Sequence, residues 1–129
     1  MDSSKSSYRS GPYKEYFAQA VRVGNALYLA GQVGVDAHGV VAADLPGQVE
    51  LAYANIRRVL AKFGATLDNL VDETFFVTDM QELMSQLEAV YARRQQAYGK
   101  PPEVAQTVVQ VSALLLPELK IEIKCIAHL

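Results

Sequence analysis

Near the C-terminus Ile121, Ile123, Cys125 and Ala127 alternate with Lys120, Glu122 and Lys124. A period of two belongs to a strand, whose successive side chains point to opposite faces of a sheet. One face of this strand is apolar and the other partly charged, so the chain needs a sheet with a covering layer on one side. The covering layer is legible upstream. From Leu45 the period changes, and Leu45, Val49, Ala52, Ile56, Val59, Leu60 and Phe63 recur every three or four residues. That pattern predicts an amphipathic helix which Asp44 is placed to cap and Gly64 to end.

The remaining elements follow from the same two periods. Tyr16 to Val23 and Ala26 to Ala30 read as strands joined at Gly24-Asn25, a pair suited to a tight hairpin. Val33, Val35, Val40 and Val41 flank a turn at Ala37-His38-Gly39 and predict a third short strand or an extended loop. Val71 to Thr78 reads as a strand. After Asp79 a second helical pattern in Leu83, Leu87, Val90, Tyr91 and Tyr98 closes at Gly99-Lys100-Pro101-Pro102. Two strands finish the chain, roughly Ala105 to Ser112 and Leu119 to Ala127, with a turn near Pro117. The fold class is α+β: a two-layer sandwich of a five- to six-stranded mixed sheet with two helices on one face. Thr107, Val109 and Val111 alternate with Gln106, Val108 and Gln110, and Phe75 or Phe76 must fall on the helix-free side. That side therefore meets water or another subunit through a mixed surface, which favours an oligomer.

With 129 residues, half of them hydrophobic, the chain is the size of one domain. We place that domain at residues 12–129, after a Ser-rich stretch over residues 1–11 that reads as a flexible tail or a lightly docked arm. Fourteen acidic and twelve basic side chains give a net charge of −2, which argues against a general nucleic-acid binder. The single cysteine, Cys125, falls on the apolar side of its strand and reads as a core residue. The two histidines, His38 and His128, form no His/Cys cluster with metal-ligand spacing, so no metal site is expected. No run approaches a membrane span and the N-terminus lacks an apolar signal region, so a soluble, cytoplasmic protein with no membrane partner is expected.

Several segments carry a resemblance. They are Gln19-Ala20-Val21-Arg22-Val23-Gly24-Asn25 with Leu27-Tyr28-Leu29-Ala30-Gly31-Gln32, then Gln48 and Asn55-Ile56, then Asp72-Glu73-Thr74-Phe75-Phe76-Val77-Thr78-Asp79 and Tyr91. Pro102-Glu103-Val104-Ala105-Gln106-Thr107-Val108-Val109-Gln110-Val111 and Lys120-Ile121-Glu122-Ile123-Lys124-Cys125-Ile126-Ala127 complete the set. From Phe17 to Ala127 the chain resembles the Rid (YjgF/YER057c/UK114) family. The resemblance implies a chorismate-mutase-like fold, a homotrimer whose sheets line a central barrel, and small-molecule clefts between neighbouring subunits. It also implies hydrolysis of reactive 2-imino acids to a 2-keto acid and ammonia, with no metal or organic cofactor.

Carried over by position, the family's site matches in part. Its carboxylate-binding arginine is Gln106, its serine Ala30, its asparagine Glu88 and its small cysteine Val108. Its tyrosine falls on Phe17, although Gly11-Pro12-Tyr13 looks like the same motif displaced, so Tyr13 could supply the phenol. Glu122, the residue credited with positioning the water and hence the catalytic candidate, is retained, as is Gly31 with its backbone N–H. Loss of the arginine removes a charge-assisted contact worth about 1.5–3 kcal/mol when desolvated. Glu88 and Glu122 facing one cleft would repel a carboxylate, favour a neutral or cationic ligand, and could share a proton as an acid/base pair.

The plainer readings stand beside these. Gln106 is then an exposed strand residue, Glu122 a solvent-facing partner of its neighbouring strands, Tyr13 part of the tail, and Glu88 with Arg93-Arg94 a solvated helix face. Gln48 and Asn55 read as hydrogen-bonding residues of a helix surface or interface. The functional reading is a Rid-like hydrolase of altered specificity acting at an intersubunit cleft. The alternative is a non-catalytic trimer that binds a metabolite or a partner protein; an endoribonuclease lacks the basic surface it would want. The site reading requires Gln106 and Glu122 to share a face of the sheet.

Overall fold

In the computed structural model, which describes residues 5–129, Asp44 accepts a hydrogen bond from the Gly47 N–H (2.8 Å) and starts α1 (Leu45–Ala61), with Pro46 in its first turn. The apolar stripe of α1 buries Val49, Ala52, Tyr53, Ile56 and Leu60 against one face of a seven-stranded sheet. The strands are β1 (Lys5–Tyr8), β2 (Ala20–Val23), β3 (Ala26–Leu29), β4 (Gln32–Val33), β5 (Leu70–Val77), β6 (Ala105–Gln110) and β7 (Ile121–His128). Their order is β1-β2-β3-β7-β5-β6, with β4 also on β7; β5 and β6 are parallel and the other pairs antiparallel. The parallel pair is joined by α2 (Met80–Ser85) and α3 (Leu87–Tyr98), which ends at Gly99 in the left-handed region (φ 76°). The expected two-layer α+β sandwich, with helices on one face, is the observed fold.

Three details differ from the sequence expectation. Lys5–Tyr8, placed by sequence in a tail or arm before residue 12, pairs along the whole of β2, so this segment belongs to the sheet. The first expected strand starts at Ala20 rather than Tyr16, because Gly11 to Phe17 form a turn in which the N–H groups of Tyr16 and Phe17 bond the Tyr13 carbonyl (2.9 and 3.1 Å). The second helix divides at Gln86, whose backbone (φ −120°, ψ 24°) leaves the helical region between α2 and α3.

Gln48 is another correction, since it is fully buried instead of lying on a helix surface. It donates to the carbonyls of Ala42 and Glu118 (3.0 Å each) and accepts from the Lys120 N–H (2.8 Å). Asn55 donates to the carbonyls of Val33 and Val35 (2.9 and 3.0 Å), so two α1 amides hold the segment after β4. Gly34 sits beneath that contact: a Cβ there would lie 2.5 Å from the Gln48 Cα. Backbone cannot swing aside, so Gly34→Ala is expected to cost about 3 kcal/mol, near the top of the overpacking range, in urea unfolding at fixed protein concentration. Among the described residues no helix is long and apolar enough to cross a membrane.

Candidate functional site

The alternation of β5 sends Glu73, Phe75 and Val77 to the helix-covered face, and Glu73 is fully buried there. A buried carboxylate needs partners for its lone pairs and a countercharge. Glu73 has both. Oε1 accepts from Arg94 Nε and from Gln106 Nε2 (2.9 Å), while Oε2 accepts from the hydroxyls of Tyr53 and Tyr98 (2.9 Å each). Tyr91, Arg94 and Tyr98 come from one face of α3, Tyr53 from α1, and Gln106 from the β6 position in register with Glu73. The Tyr91 hydroxyl donates to Gln106 Oε1 (2.6 Å), so the amide is fixed at both ends. Burial, then the nearby Glu73 charge, pushes the Tyr53 and Tyr98 phenols far up, so both remain donors. Burial acts to lower the Arg94 pKa, but the charge and hydrogen bond of Glu73, with Tyr53 and Tyr98, together outweigh it and the net shift is upward.

The helix-free face carries a second group. Glu122 lies on β7 opposite Phe76 of β5 and Val33 of β4. Its carboxylate occupies the space a side chain at position 31 would take: a Cβ on Gly31 would stand 2.0 Å from Glu122 Oε2. Burial raises the Glu122 pKa, partly offset by Lys124, whose ammonium donates to the Leu29 carbonyl (2.6 Å). Ala30 is half-buried beside Gly31, its N–H bonded to the Gln19 carbonyl (2.8 Å). In the turn after β1, Tyr13 and Phe17 stack with centroids 5.9 Å apart and planes 11° from parallel.

Residues 9–129 match the family described as Endoribonuclease L-PSP. The RutC family protein YjgH of Escherichia coli K12 is 34% identical over 122 residues, covering 94% of this chain and 89% of that one. The chain belongs to the Rid (YjgF/YER057c/UK114) family. The fold agrees: Rv2704 of Mycobacterium tuberculosis, described as a member of that family, superposes with a TM-score of 0.80 at 32% identity, covering 98% of this chain and all of that one. RidA from the Antarctic bacterium Psychrobacter sp. PAMC 21119 gives a TM-score of 0.80 at 25% identity over 95% of this chain and 94% of its own.

In this Rid chain the expected site residues fall into two groups on opposite faces. Gln106 and Val108 lie on the helix-covered face of β6, in register with Glu73 and Phe75. Glu122 is in register with Phe76, and Phe76 with Val109, so Glu122 shares the helix-free face with Phe76. The requirement that Gln106 and Glu122 share a face therefore fails within one chain. Glu88 is exposed in the first turn of α3 and makes no salt bridge to a described residue.

Arg93 pairs with Glu50 at the surface, as a solvated helix face predicts, but Arg94 is a correction: its side chain is only 12% exposed and bonds Glu73. Sequence reasoning missed Glu73, Arg94, Tyr53 and Tyr98. The available signal was a lone acid on the apolar side of one strand and a lone base on the apolar side of a helix, a combination that calls for a pair. Cys125 is buried, and burial followed by the Glu73 charge pushes its thiol well up, consistent with a core residue. A cavity of about 50 Å³, lined by Leu67, Tyr98, Lys100 and Val104 among others, lies at the far end of α3 and holds a few waters at most. Among the described residues no three His, Cys, Asp or Glu side chains are grouped to hold a metal.

Proposed function

We propose that this chain is a Rid-type small-molecule hydrolase of altered specificity, its site a cleft where two copies meet in a homotrimer. One copy contributes the helix-free wall of Glu122, Gly31, Ala30, Tyr13 and Phe17, the next the α3–β6 edge with Glu88 of α3 and Gln106 and Val108 of β6. Family membership supports a small-molecule deaminase, hydrolase or binding role. The observation that carries the hydrolytic reading is Glu122, a half-buried carboxylate lodged in the space of Gly31 on an otherwise open face. Its raised pKa suits a general base working nearer neutrality than a free carboxylate. Glu122 takes a proton from water as the oxygen bonds the imine carbon, the C=N π electrons move to nitrogen, and Glu122 hands that proton to the nitrogen. The resulting carbinolamine gives its hydroxyl proton to Glu122 as the C=O forms, and Glu122 passes it to the nitrogen, which leaves as ammonia. No cofactor is required by that balance.

The opposite faces of Gln106 and Glu122 make a two-copy site directly testable. Gln106→Ala and Glu122→Gln should each lower ammonia release from freshly generated 2-iminopropanoate, the second by about 10²–10⁴-fold. Co-refolding them should restore about a quarter of the clefts, since random mixing in a cyclic trimer pairs two intact walls at that frequency. No recovery in the mixture would reject a shared cleft. Absence of ammonia release by the unaltered protein, with 2-oxobutanoate still bound, would favour the metabolite-binding alternative. Cleavage of RNA by the unaltered protein would favour the activity named in the family's description.

A further inference from the structure

Arg94 uses only part of its guanidinium inside the protein. Nε donates to Glu73 Oε1, and the group lies between the rings of Tyr91 and Tyr98, 5.6 and 5.5 Å from their centroids. Nη1 and Nη2 make no hydrogen bond to a described residue. Yet among the described residues no buried side-chain nitrogen or oxygen lacks a partner. The Nη edge, with its four N–H groups, therefore keeps some contact with solvent on a side chain that is otherwise largely enclosed. Gln106 Nε2 donates to the same Glu73 oxygen, which sets the amide beside the guanidinium and leaves one amide N–H uncommitted. Glu73 cannot turn outward to an incoming cation, because four donors already fill its acceptor positions.

We propose that Arg94 and Gln106 together form an anion-recognising wall that takes the carboxylate of a small ligand. The cation absent from position 106 is furnished from α3. This rests on reading the α3–β6 edge as one wall of the ligand cleft, and it replaces the neutral or cationic ligand expected from the sequence. A guanidinium flanked by two rings and held at Nε has its planar fork already oriented, so a carboxylate meets two parallel N–H donors without ordering a free side chain. Glu73 is then a positioning residue, holding the fork at Nε and the amide at Nε2.

Calorimetric titration with 2-oxobutanoate and its uncharged amide tests the proposal on the full chain. The acid is expected to bind at least about tenfold more tightly than the amide, the size of one charge-assisted contact. Arg94→Lys keeps a cation on Glu73 but loses the fork, so it should weaken the acid by about tenfold and leave the amide unchanged. Glu73→Gln removes the countercharge and should tighten the acid several-fold, an effect that a purely structural Arg94 would not produce. Equal binding of acid and amide by the unaltered protein, no binding of the acid, or an acid-to-amide ratio that Arg94→Lys does not move would each overturn the proposal. Should Arg94→Lys fail to fold, the Glu73→Gln titration decides alone. Ammonia release is read separately: Arg94-dependent acid binding without turnover upholds the anion wall and rejects the hydrolase, whereas turnover with a KM that Arg94→Lys leaves unchanged does the reverse.

Discussion

Arg94→Met is expected to lower the free energy of unfolding by about 3–5 kcal/mol, because it leaves the buried Glu73 carboxylate without its countercharge. Methionine matches the arginine stem in length and flexibility, so packing against Tyr91 and Tyr98 is largely kept and the loss isolates the charge. The three remaining donors, from Tyr53, Tyr98 and Gln106, are neutral and hydrogen-bond the carboxylate without balancing it. The double variant Glu73→Gln/Arg94→Met should regain more than half of that loss, since a neutral amide accepts from the same two phenols. Urea unfolding at one protein concentration checks both, the concentration being fixed because any assembly adds to apparent stability. A single-variant loss below about 1 kcal/mol would place Arg94 among ordinary surface pairs.

How far the sequence carries depends on which residues set a feature. α1 and β7 are legible because each has an unbroken period and a cap or alternation that agrees with it. β1 is not, because Lys5-Ser6-Ser7-Tyr8 has no apolar alternation and owes its conformation to backbone pairing with β2. For the site, alternation within β6 says that Gln106, Val108 and Gln110 share a side, but both sides of that strand are mixed, so neither is marked as inner. Its phase relative to β7 is fixed only through β5, where Glu73 lies opposite both Gln106 and Cys125. The residue that orients Gln106 thus belongs to a strand the site reading did not include. Arg94 was hidden in the same way: beside Arg93 it reads as surface charge, and only its one-turn spacing from Tyr91 and Tyr98 turns it inward.

Glu122→Gln is expected to lower the rate of ammonia release by about 10²–10⁴-fold, the range for loss of a general base, with little effect on folding. Gly31→Ala should approach the lower end of that range by a different route. The added methyl would displace the Glu122 carboxylate, a flexible group that can rotate into solvent, so stability changes by less than the roughly 1–3 kcal/mol of a rigid overpacked site. Rotation into water removes the desolvation that raises the Glu122 pKa. The pH profile of kcat/KM then separates the two variants. In the unaltered protein the acid limb falls at a pH above that of an ordinary carboxylate, because the base must be unprotonated. In Gly31→Ala that limb moves to lower pH, and in Glu122→Gln it disappears.

Folding stability responds with a fixed sign. A carboxyl whose folded pKa exceeds its unfolded value favours the native state when protonated, and that contribution is lost as pH rises through the window between the two values. Gly31→Ala should flatten this dependence, and an unchanged acid limb in that variant would show that Glu122 is not the titrating base.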